Sequence, residues 1–233
     1  MEIRITDFNN PDAVLTKTHV NEWKQVLATI EAMPLHLKAS DQQGKQGSLI
    51  FDPVGTNAYL KANLDPFGWR ASKIAAEYSF LGLDVDFAKS GVILEAQFSN
   101  YPFLLNNLIR SEMFFREKVR FDGAPTSVVV IVVKAAMYPA SNSTLYYEQA
   151  LNQLNGLAKF KLFTVPVRLI GLCSPLDQEI DATVMGYSAA RYSRTVSEST
   201  PMKVRIICKR GDRCKIVPAN PAPPSSPLFE LLK

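Results

Sequence analysis

Apolar residues recur at intervals of three and four in several segments of the chain, which is the spacing of one face of an α-helix. The first predicted helix spans residues 21–33, with Asn21 as a possible N-cap. A second spans residues 102–118, and a third spans residues 144–159, preceded by a possible cap at Asn142 or Ser143. The pattern therefore predicts three amphipathic helices.

Other segments have the composition and alternation of β-strands. Residues 83–87 and 92–98 are predicted to form a hairpin, and Gly91 suits its tight turn. Residues 127–134 are β-branched and apolar on both faces, as in a central strand that is covered on each side. Residues 165–172 predict another buried strand.

The segment of residues 34–69 shows neither period clearly. It is rich in Gly, Pro, Asp and Asn, which predicts loops with short elements around residues 49–51. The stretch GKQGS at residues 44–48 lacks the spacing of a phosphate-binding loop and predicts a surface loop.

The order of these elements along the chain is helix, hairpin, helix, central strand, helix and strand. This order favours an α/β fold with a central mixed β-sheet flanked by helices. We expect one main domain of residues 1–200. The pattern then weakens into a basic stretch and a Pro/Ser-rich tail, so residues 201–233 are expected to form a C-terminal extension.

Composition agrees with a globular domain of ordinary size, since the 233 residues are 47% hydrophobic and 21% charged. The longest apolar run, residues 128–133, is too short to cross a bilayer as a helix. The first residues lack the pattern of a signal peptide, so we expect a cytoplasmic protein without membrane contact. The net charge of +4 allows an anionic partner without requiring one.

Cysteine and histidine usage narrows the chemistry. Cys173, Cys208 and Cys214 are an odd and sparse set, which fits a reducing compartment better than a disulfide framework. A zinc site is disfavoured because Cys208 and Cys214 have no second pair of ligands at a suitable spacing. His19 and His36 have no serine or cysteine motif nearby, which argues against a hydrolase triad.

The predicted hairpin carries the most informative residues. Side chains two apart on a strand share a face, so Glu95 and Gln97 point together, and the hairpin can bring Asp86 beside them. Two carboxylates with a free backbone carbonyl suit Mg²⁺ and the hydrolysis of a phosphodiester. Spacing alone leaves open the more common role of exposed charges on an edge strand.

The hairpin also resembles a known family. An acid followed by acid-X-Lys is the pattern of PD-(D/E)XK nucleases, and Gln97 here occupies the lysine position. The Glu-X-Gln ending is similar to that of the BglII family of type II restriction endonucleases. Further similar stretches occur in the same order along residues 1–195: MPLHLKASDQ, GSLIFDPVGTN, FLG-D-DF, QFSNYPFLLNN, MYPASNS-LYYEQA-NQLN and RYSRT.

The resemblance implies a restriction-endonuclease-like core and a catalytic set of Asp86, Glu95 and Gln97. Asp86, Glu95 and the carbonyl of Ala96 would hold Mg²⁺, and Glu95 would orient or activate the attacking water. Gln97 can contribute hydrogen bonds only. Asp84 shares a face with Asp86 but is not a ligand that the resemblance implies.

The resemblance also implies contacts to DNA. Small polar side chains such as Asn and Ser can bind base edges in the major groove, although capping a helix is their more common role. Tyr192 and Arg194 are assigned to base or phosphate contact, and the remaining assigned residues follow the catalytic strand or precede the third helix. The full set is Ser99, Asn100, Asn142, Ser143, Tyr192 and Arg194.

These implications lead to one functional expectation with two alternatives. We expect a Mg²⁺-dependent type II restriction endonuclease that cuts the palindrome AGATCT after the first A and leaves a four-base 5′ overhang. A palindromic target requires two related active sites, hence a homodimer, for which residues 102–118 and 144–159 resemble the dimer helices. The alternatives are a nuclease with another GATC-containing site and a DNA-binding protein without catalysis.

Overall fold

A mixed sheet lies at the centre of the computed structural model, which describes residues 1–141, 144–189, 195–209 and 213–220. Its central strand pairs in parallel with both neighbours, and the remaining pairs are antiparallel. The strands, in spatial order, are β1 (Glu2–Phe8), β10 (Val167–Cys173), β9 (Val128–Lys134), β6 (Val92–Ala96), β5 (Asp84–Lys89) and β4 (Arg70–Lys73).

Helices cover both faces of this sheet, which confirms the predicted fold class. They are α1 (Pro11–Lys17), α2 (Val20–Glu31), α3 (Pro53–Leu64), α4 (Pro102–Arg116) and α5 (Tyr147–Lys159), with 3₁₀ turns at Asp65–Phe67 and Ala76–Leu81. Side chains of β9 alternate between two apolar clusters, since Val130 packs with α2 and Ile131 packs with α4 and α5. The expectation of a central strand covered on each side is therefore confirmed. Among the described residues, no helix is long and apolar enough to cross a membrane.

A small barrel adjoins the sheet and joins segments that are far apart in sequence. Its strands are β2 (Leu35–Ala39), β3 (Leu49–Phe51), β11 (Ile180–Tyr187), β12 (Val196–Lys209) and β13 (Arg213–Pro218), and a two-stranded ribbon of β7 (Arg120–Phe121) and β8 (Ala124–Pro125) lies apart from it. Val184 and Ile206 of the barrel pack into the same apolar cluster as α2. The barrel is therefore attached to the core through shared buried side chains.

The barrel was not expected from the sequence. In β12, Val204 and Ile206 are buried, whereas Lys203 and Arg205 are exposed or partly exposed, so the basic stretch is an amphipathic strand. The boundary predicted between residues 200 and 201 falls within this strand.

The cysteines also differ from the expectation. Cys208 and Cys214 are direct partners in the β12–β13 register and form a disulfide. The spacing of the cysteines along the chain did not predict this bond, because the two residues become neighbours only when β12 and β13 pair. Cys173 is a free, buried thiol.

Two local predictions need correction. Residues 34–69 contain the helix α3, whose N-cap Asp52 accepts hydrogen bonds from the backbone N–H groups of Val54 and Gly55 at 3.2 and 3.1 Å. The N-cap of α2 is His19 instead of Asn21, so that helix begins before the apolar period suggested.

The start of α5 also differs from the prediction. Tyr146 holds the N-cap position, and its backbone N–H donates to Gln149 Oε1 at 3.2 Å. The N-cap is therefore neither Asn142 nor Ser143, and both of those residues lie outside the described part of the chain.

Candidate active site

The β5–β6 hairpin forms the base of the candidate site. Its turn contains Ser90 and Gly91, and a Cβ at Gly91 would lie 2.2 Å from the carbonyl oxygen of Pro125, so only glycine fits. Phe87 pairs with Leu94, and the antiparallel register brings Asp86 beside Glu95 at the open end of the hairpin. The predicted convergence of the two carboxylates is confirmed.

Asp86 faces solvent and is tied to the partner strand. Its Oδ2 accepts a hydrogen bond from the backbone N–H of Ala96 at 2.9 Å. Desolvation by the surrounding protein raises the pKa of Asp86, and the Ala96 N–H and the Arg110 charge oppose this effect. The carboxylate is thus fixed in position while one side stays open to the groove.

Glu95 is buried on an interior strand, between β5 and β9, with 2% of its surface exposed. This excludes for Glu95 the role of an exposed charge on an edge strand. Burial, and next the negative charge of Asp86, raise the pKa of Glu95 to about 7, although Arg110 opposes the shift. Two neighbouring carboxylates whose pKa values are both raised in the absence of a cation are a suitable pair of ligands for a divalent ion.

Arg110 is a member of the site that the sequence did not predict. Its Nη2 donates to Glu95 Oε1 at 2.6 Å, and its Nη1 donates to the carbonyl oxygen of Asp84 at 2.8 Å. Gly82 makes room for this side chain, since a Cβ there would lie 2.5 Å from Arg110 Nη1. The sequence showed Arg110 only as a charge between apolar positions of a helix, with no signal that it faces the hairpin.

Arg110 also defines the role of Asp84. The side chain of Asp84 is exposed, and its backbone carbonyl is the group that takes part in the site. This geometry agrees with a supporting position for Asp84 next to the carboxylate pair.

The donor set fits a hard cation with few protein ligands. Asp86 and Glu95 supply carboxylate oxygens, and the Ala96 carbonyl, which accepts one hydrogen bond from the Phe98 N–H at 3.2 Å, keeps a second lone pair. Within the described ranges, no cluster of three or more His, Cys, Asp or Glu side chains could hold a metal. A cation here would therefore need the backbone carbonyl and water to complete its shell, which suits Mg²⁺.

Gln97 lies next along the strand and is held by hydrogen bonds on both ends of its amide. Its Oε1 accepts from Asn107 Nδ2 at 2.9 Å, and its Nε2 donates to Ser99 Oγ at 3.2 Å and to the Asn100 carbonyl at 3.4 Å. Only 5% of Gln97 is exposed. Gln97 is thus a rigid hydrogen-bonding group, and Asn107 on α4 is a second member of the site that the sequence missed.

Ser99 and Asn100 lie at the exit of the catalytic strand and are exposed. The Ser99 carbonyl accepts from the Leu145 N–H at 3.0 Å, and Asn100 forms an antiparallel bridge with Thr144. Thr144 and Leu145, which follow residues 142–143, are therefore held beside Ser99 and Asn100. Of the other residues assigned to DNA contact, Asn142, Ser143, Tyr192 and Arg194 lie outside the described residues.

A cavity of about 610 Å³ runs over these groups. Asp86, Glu95 and Gln97 line its floor, Asn107 and Arg110 line one wall, and the start of α3 lines another. The cavity is polar at the carboxylates and open to solvent.

Known proteins are similar to this chain over most of its length. A family model described as restriction endonuclease BglII/BglIII matches residues 3–172. The type II restriction enzyme BglII of Bacillus subtilis is 48% identical over 208 residues, which cover 89% of this chain and 92% of the relative.

Two solved structures match as well. A crystal structure of the endonuclease BglII in complex with a DNA 16-mer matches with a TM-score of 0.90 and 47% identity, over 94% of this chain and 100% of that chain. A structure of free BglII matches over the same shares with a TM-score of 0.73 and 41% identity.

Proposed function

This chain belongs to the BglII/BglIII restriction endonuclease family, and we propose that it is a Mg²⁺-dependent, homodimeric enzyme that cuts both strands of a short DNA palindrome. The observation that carries this proposal is that Asp86 and Glu95 converge at the open end of a hairpin and line one cavity with Ser99, while Gln97 links that cavity to Asn100 by a hydrogen bond. Carboxylates that bind a cation and small polar side chains that bind bases then lie on one surface. We also propose that the enzyme is cytoplasmic, where it would meet double-stranded DNA.

The residues have separate tasks in this reaction. Asp86, Glu95 and the Ala96 carbonyl would hold Mg²⁺, which would supply Lewis acidity toward the scissile phosphate and lower the pKa of a bound water. Glu95 accepts a hydrogen bond from the attacking water and orients it toward phosphorus. Arg110 fixes the Glu95 carboxylate, and Gln97 offers neutral hydrogen bonds where the wider superfamily pattern has a lysine.

The proposed target is AGATCT, cut after the first A to leave a four-base 5′ overhang. Its support is the resemblance of the stretches that contain Ser99, Asn100, Asn142, Ser143, Tyr192 and Arg194, the residues proposed to contact DNA. A different site that contains GATC is the nearest alternative, because few base contacts separate two such sites.

A homodimer follows from a palindromic target, since two identical active sites must be related by a twofold axis. An apolar surface on α4 and α5 supports this assembly. Leu105, Ile109, Phe160 and Leu162 are between 44% and 71% exposed, and Leu105, Phe160 and Leu162 border a shallow cavity of about 460 Å³.

Sequencing of cleavage ends tests the proposal. Plasmid DNA with one AGATCT site is incubated with the protein and Mg²⁺, beside a matched plasmid in which that site reads GGATCC. Discrete ends after the first A in the first plasmid alone support the proposed target. Ends at the second site, or random nicks, would refute the specificity.

The variant Asp86→Asn separates an enzyme from a DNA-binding protein without catalysis. It removes one charge from the carboxylate pair and keeps the shape of the side chain. We expect the variant to bind AGATCT as the wild type does in Ca²⁺ but to leave the DNA intact in Mg²⁺. Equal cutting by both proteins would refute the metal site, and absence of cutting by the wild type would favour the non-catalytic alternative.

A further inference from the structure

Lys134 is the last residue of the central strand β9, and its side chain is completely buried. Its Nζ donates a hydrogen bond to the Leu145 carbonyl at 3.2 Å. The same nitrogen lies 5.4 Å from the ring centre of Phe51 and 4.8 Å from that of Tyr146. These contacts are those of a cation held between two aromatic faces.

A lysine in this position is unusual. The ion pairs formed within the described residues do not include Lys134. Burial of an ammonium group without a carboxylate is unfavourable, and burial lowers the pKa of Lys134 to about 7. An apolar residue at this end of β9 would avoid that penalty, so stability alone does not account for the lysine.

The contacts of Lys134 converge on the segment that follows residues 142–143. Leu145 accepts from Lys134 through its carbonyl and donates through its N–H to Ser99, while Tyr146 forms a parallel bridge with Lys134. The hydroxyl of Thr144 donates a hydrogen bond to the Ser141 carbonyl. The segment of residues 144–146 is therefore tied to β9 on one side and to the exit of the catalytic strand on the other.

The catalytic strand is tied to the same strand. The backbone N–H of Gln97 donates to the Val132 carbonyl at 2.8 Å, two residues before Lys134. Lys134 thus lies where the end of β9, the residues after Gln97 and the segment of residues 144–146 meet. A shift of the Leu145 carbonyl away from Lys134 would also disturb the hydrogen bond from the Leu145 N–H to the Ser99 carbonyl.

We propose that Lys134 is a positioning residue for base recognition. It holds residues 144–146 against Ser99, and so keeps the proposed contact residues Ser99 and Asn100 in place relative to Asn142 and Ser143, the proposed contact residues that precede Thr144. The inference rests on the proposed function, because it assumes that these residues contact bases. Lys134 itself is enclosed by protein, so its proposed role does not involve contact with a base. Its effect is therefore on discrimination between sites more than on the chemical step.

The variant Lys134→Met tests this role, because methionine has a similar length and lacks the donor and the charge. Cleavage rates are compared on AGATCT and on sites with one base changed, together with the melting temperature. We expect the melting temperature to stay or to rise, since a buried charge is removed. The ratio of kcat/KM between the two sites should fall about tenfold or more, as for the loss of one good base contact.

The variant Val129→Ala is the matched control. Val129 lies on the same strand and faces the opposite side of the sheet, and its substitution weakens the core without removing a hydrogen bond or a ring contact to residues 144–146. Retained discrimination in Val129→Ala and reduced discrimination in Lys134→Met support the proposal. Wild-type discrimination in Lys134→Met, or an equal loss in both variants, overturns it.

A second variant covers the case in which Lys134→Met does not fold. Tyr146→Leu removes one aromatic face and keeps the Leu145 hydrogen bond, so a smaller loss of discrimination is expected. Unchanged discrimination in Tyr146→Leu then overturns the proposal. A wild type without preference for any site is a separate result, which refutes the proposed function and the inference with it.

Discussion

Arg110 on α4 and Glu95 on β6 form a buried ion pair, with Nη2 and Oε1 2.6 Å apart and side chains that are 6% and 2% exposed. The pair connects a helix that also carries part of the apolar surface to the strand that carries the proposed metal ligand. Arg110 therefore sets both the position of Glu95 and the charge that surrounds it.

Arg110→Met is expected to impair cleavage through Glu95. Loss of the guanidinium raises the pKa of Glu95 further, because it removes the largest effect that opposes burial and the charge of Asp86. We expect kcat to fall about a hundredfold and the rising limb of the pH–rate profile to move to higher pH. Arg110→Lys keeps a charge and should show a smaller shift. An unmoved pH profile in Arg110→Met would contradict this role.

The same variant should lose stability. Removal of one partner from a buried ion pair is destabilising by roughly 3–5 kcal/mol, since the remaining group either keeps an uncompensated buried charge or must take up a proton. Urea unfolding of Arg110→Met and of the double variant Arg110→Met, Glu95→Gln measures this effect. The double variant should recover part of the loss because it also removes the orphaned carboxylate.

Stability of the metal-free protein should depend on pH through Glu95. Its pKa in the folded protein is about 7, above its ordinary value of 4.5, so protonation stabilises the fold. This stabilisation is fully present below about pH 4.5 and is lost as the pH rises through about 7, with a size of roughly 3 kcal/mol. Glu95→Gln should lack this component. Urea unfolding in EDTA from about pH 5 to about pH 8 measures it, and equal slopes for both proteins would contradict the assignment.

Gln97→Lys is expected to reduce activity although it restores the residue of the superfamily pattern. Lysine cannot accept the hydrogen bond from Asn107, and it brings a second cation close to Arg110. We expect kcat to fall about tenfold or more in single-turnover cleavage. Asn107→Ala removes the same hydrogen bond and should act in the same direction. A faster Gln97→Lys enzyme would show that the amide network is dispensable.

Leu105→Asp is expected to separate the proposed dimer. The substitution puts a charge into the apolar surface of α4 and α5, where its desolvation would oppose association. Light scattering after size exclusion should show a monomer, and cutting of both strands should be lost. Leu176→Asp is the matched control, because Leu176 is 45% exposed and does not line that surface. Dimers of Leu105→Asp would require another interface.

Serine at Cys208 is expected to lower stability only modestly. The disulfide joins residues separated by 6 positions, so the entropy it removes from the unfolded chain corresponds to roughly 2 kcal/mol. Unfolding of the oxidised wild type and of Cys208→Ser should differ by about this amount at most. Dithiothreitol should destabilise the wild type and leave the variant unchanged; an equal response of both would place the effect elsewhere.

Local patterns along the sequence were sufficient to predict the central strand and the hairpin that carries the candidate site. The alternation at residues 92–98 assigned Glu95 and Gln97 to one face, and the turn at Gly91 returned Asp86 to their side. The all-apolar stretch before Lys134 identified the central strand, because a strand covered on both faces has no polar side. The same local rules missed α3, because its buried face carries Gly55 and Thr56 beside Leu60 and Leu64, so apolar side chains alone do not mark that face.

Periodicity along the chain by itself thus determined the buried faces of the predicted helices and strands. The family resemblance identified the carboxylates of the candidate site. The tertiary structure decided which distant segments meet there: Arg110 and Asn107 from α4, the pairing of Cys208 with Cys214, and the enclosure of Lys134 between Phe51 and Tyr146. The physical reason is that the periodicity of apolar residues indicates only whether a side chain faces the interior. The partner it meets depends on many weak contacts between segments that are far apart in sequence.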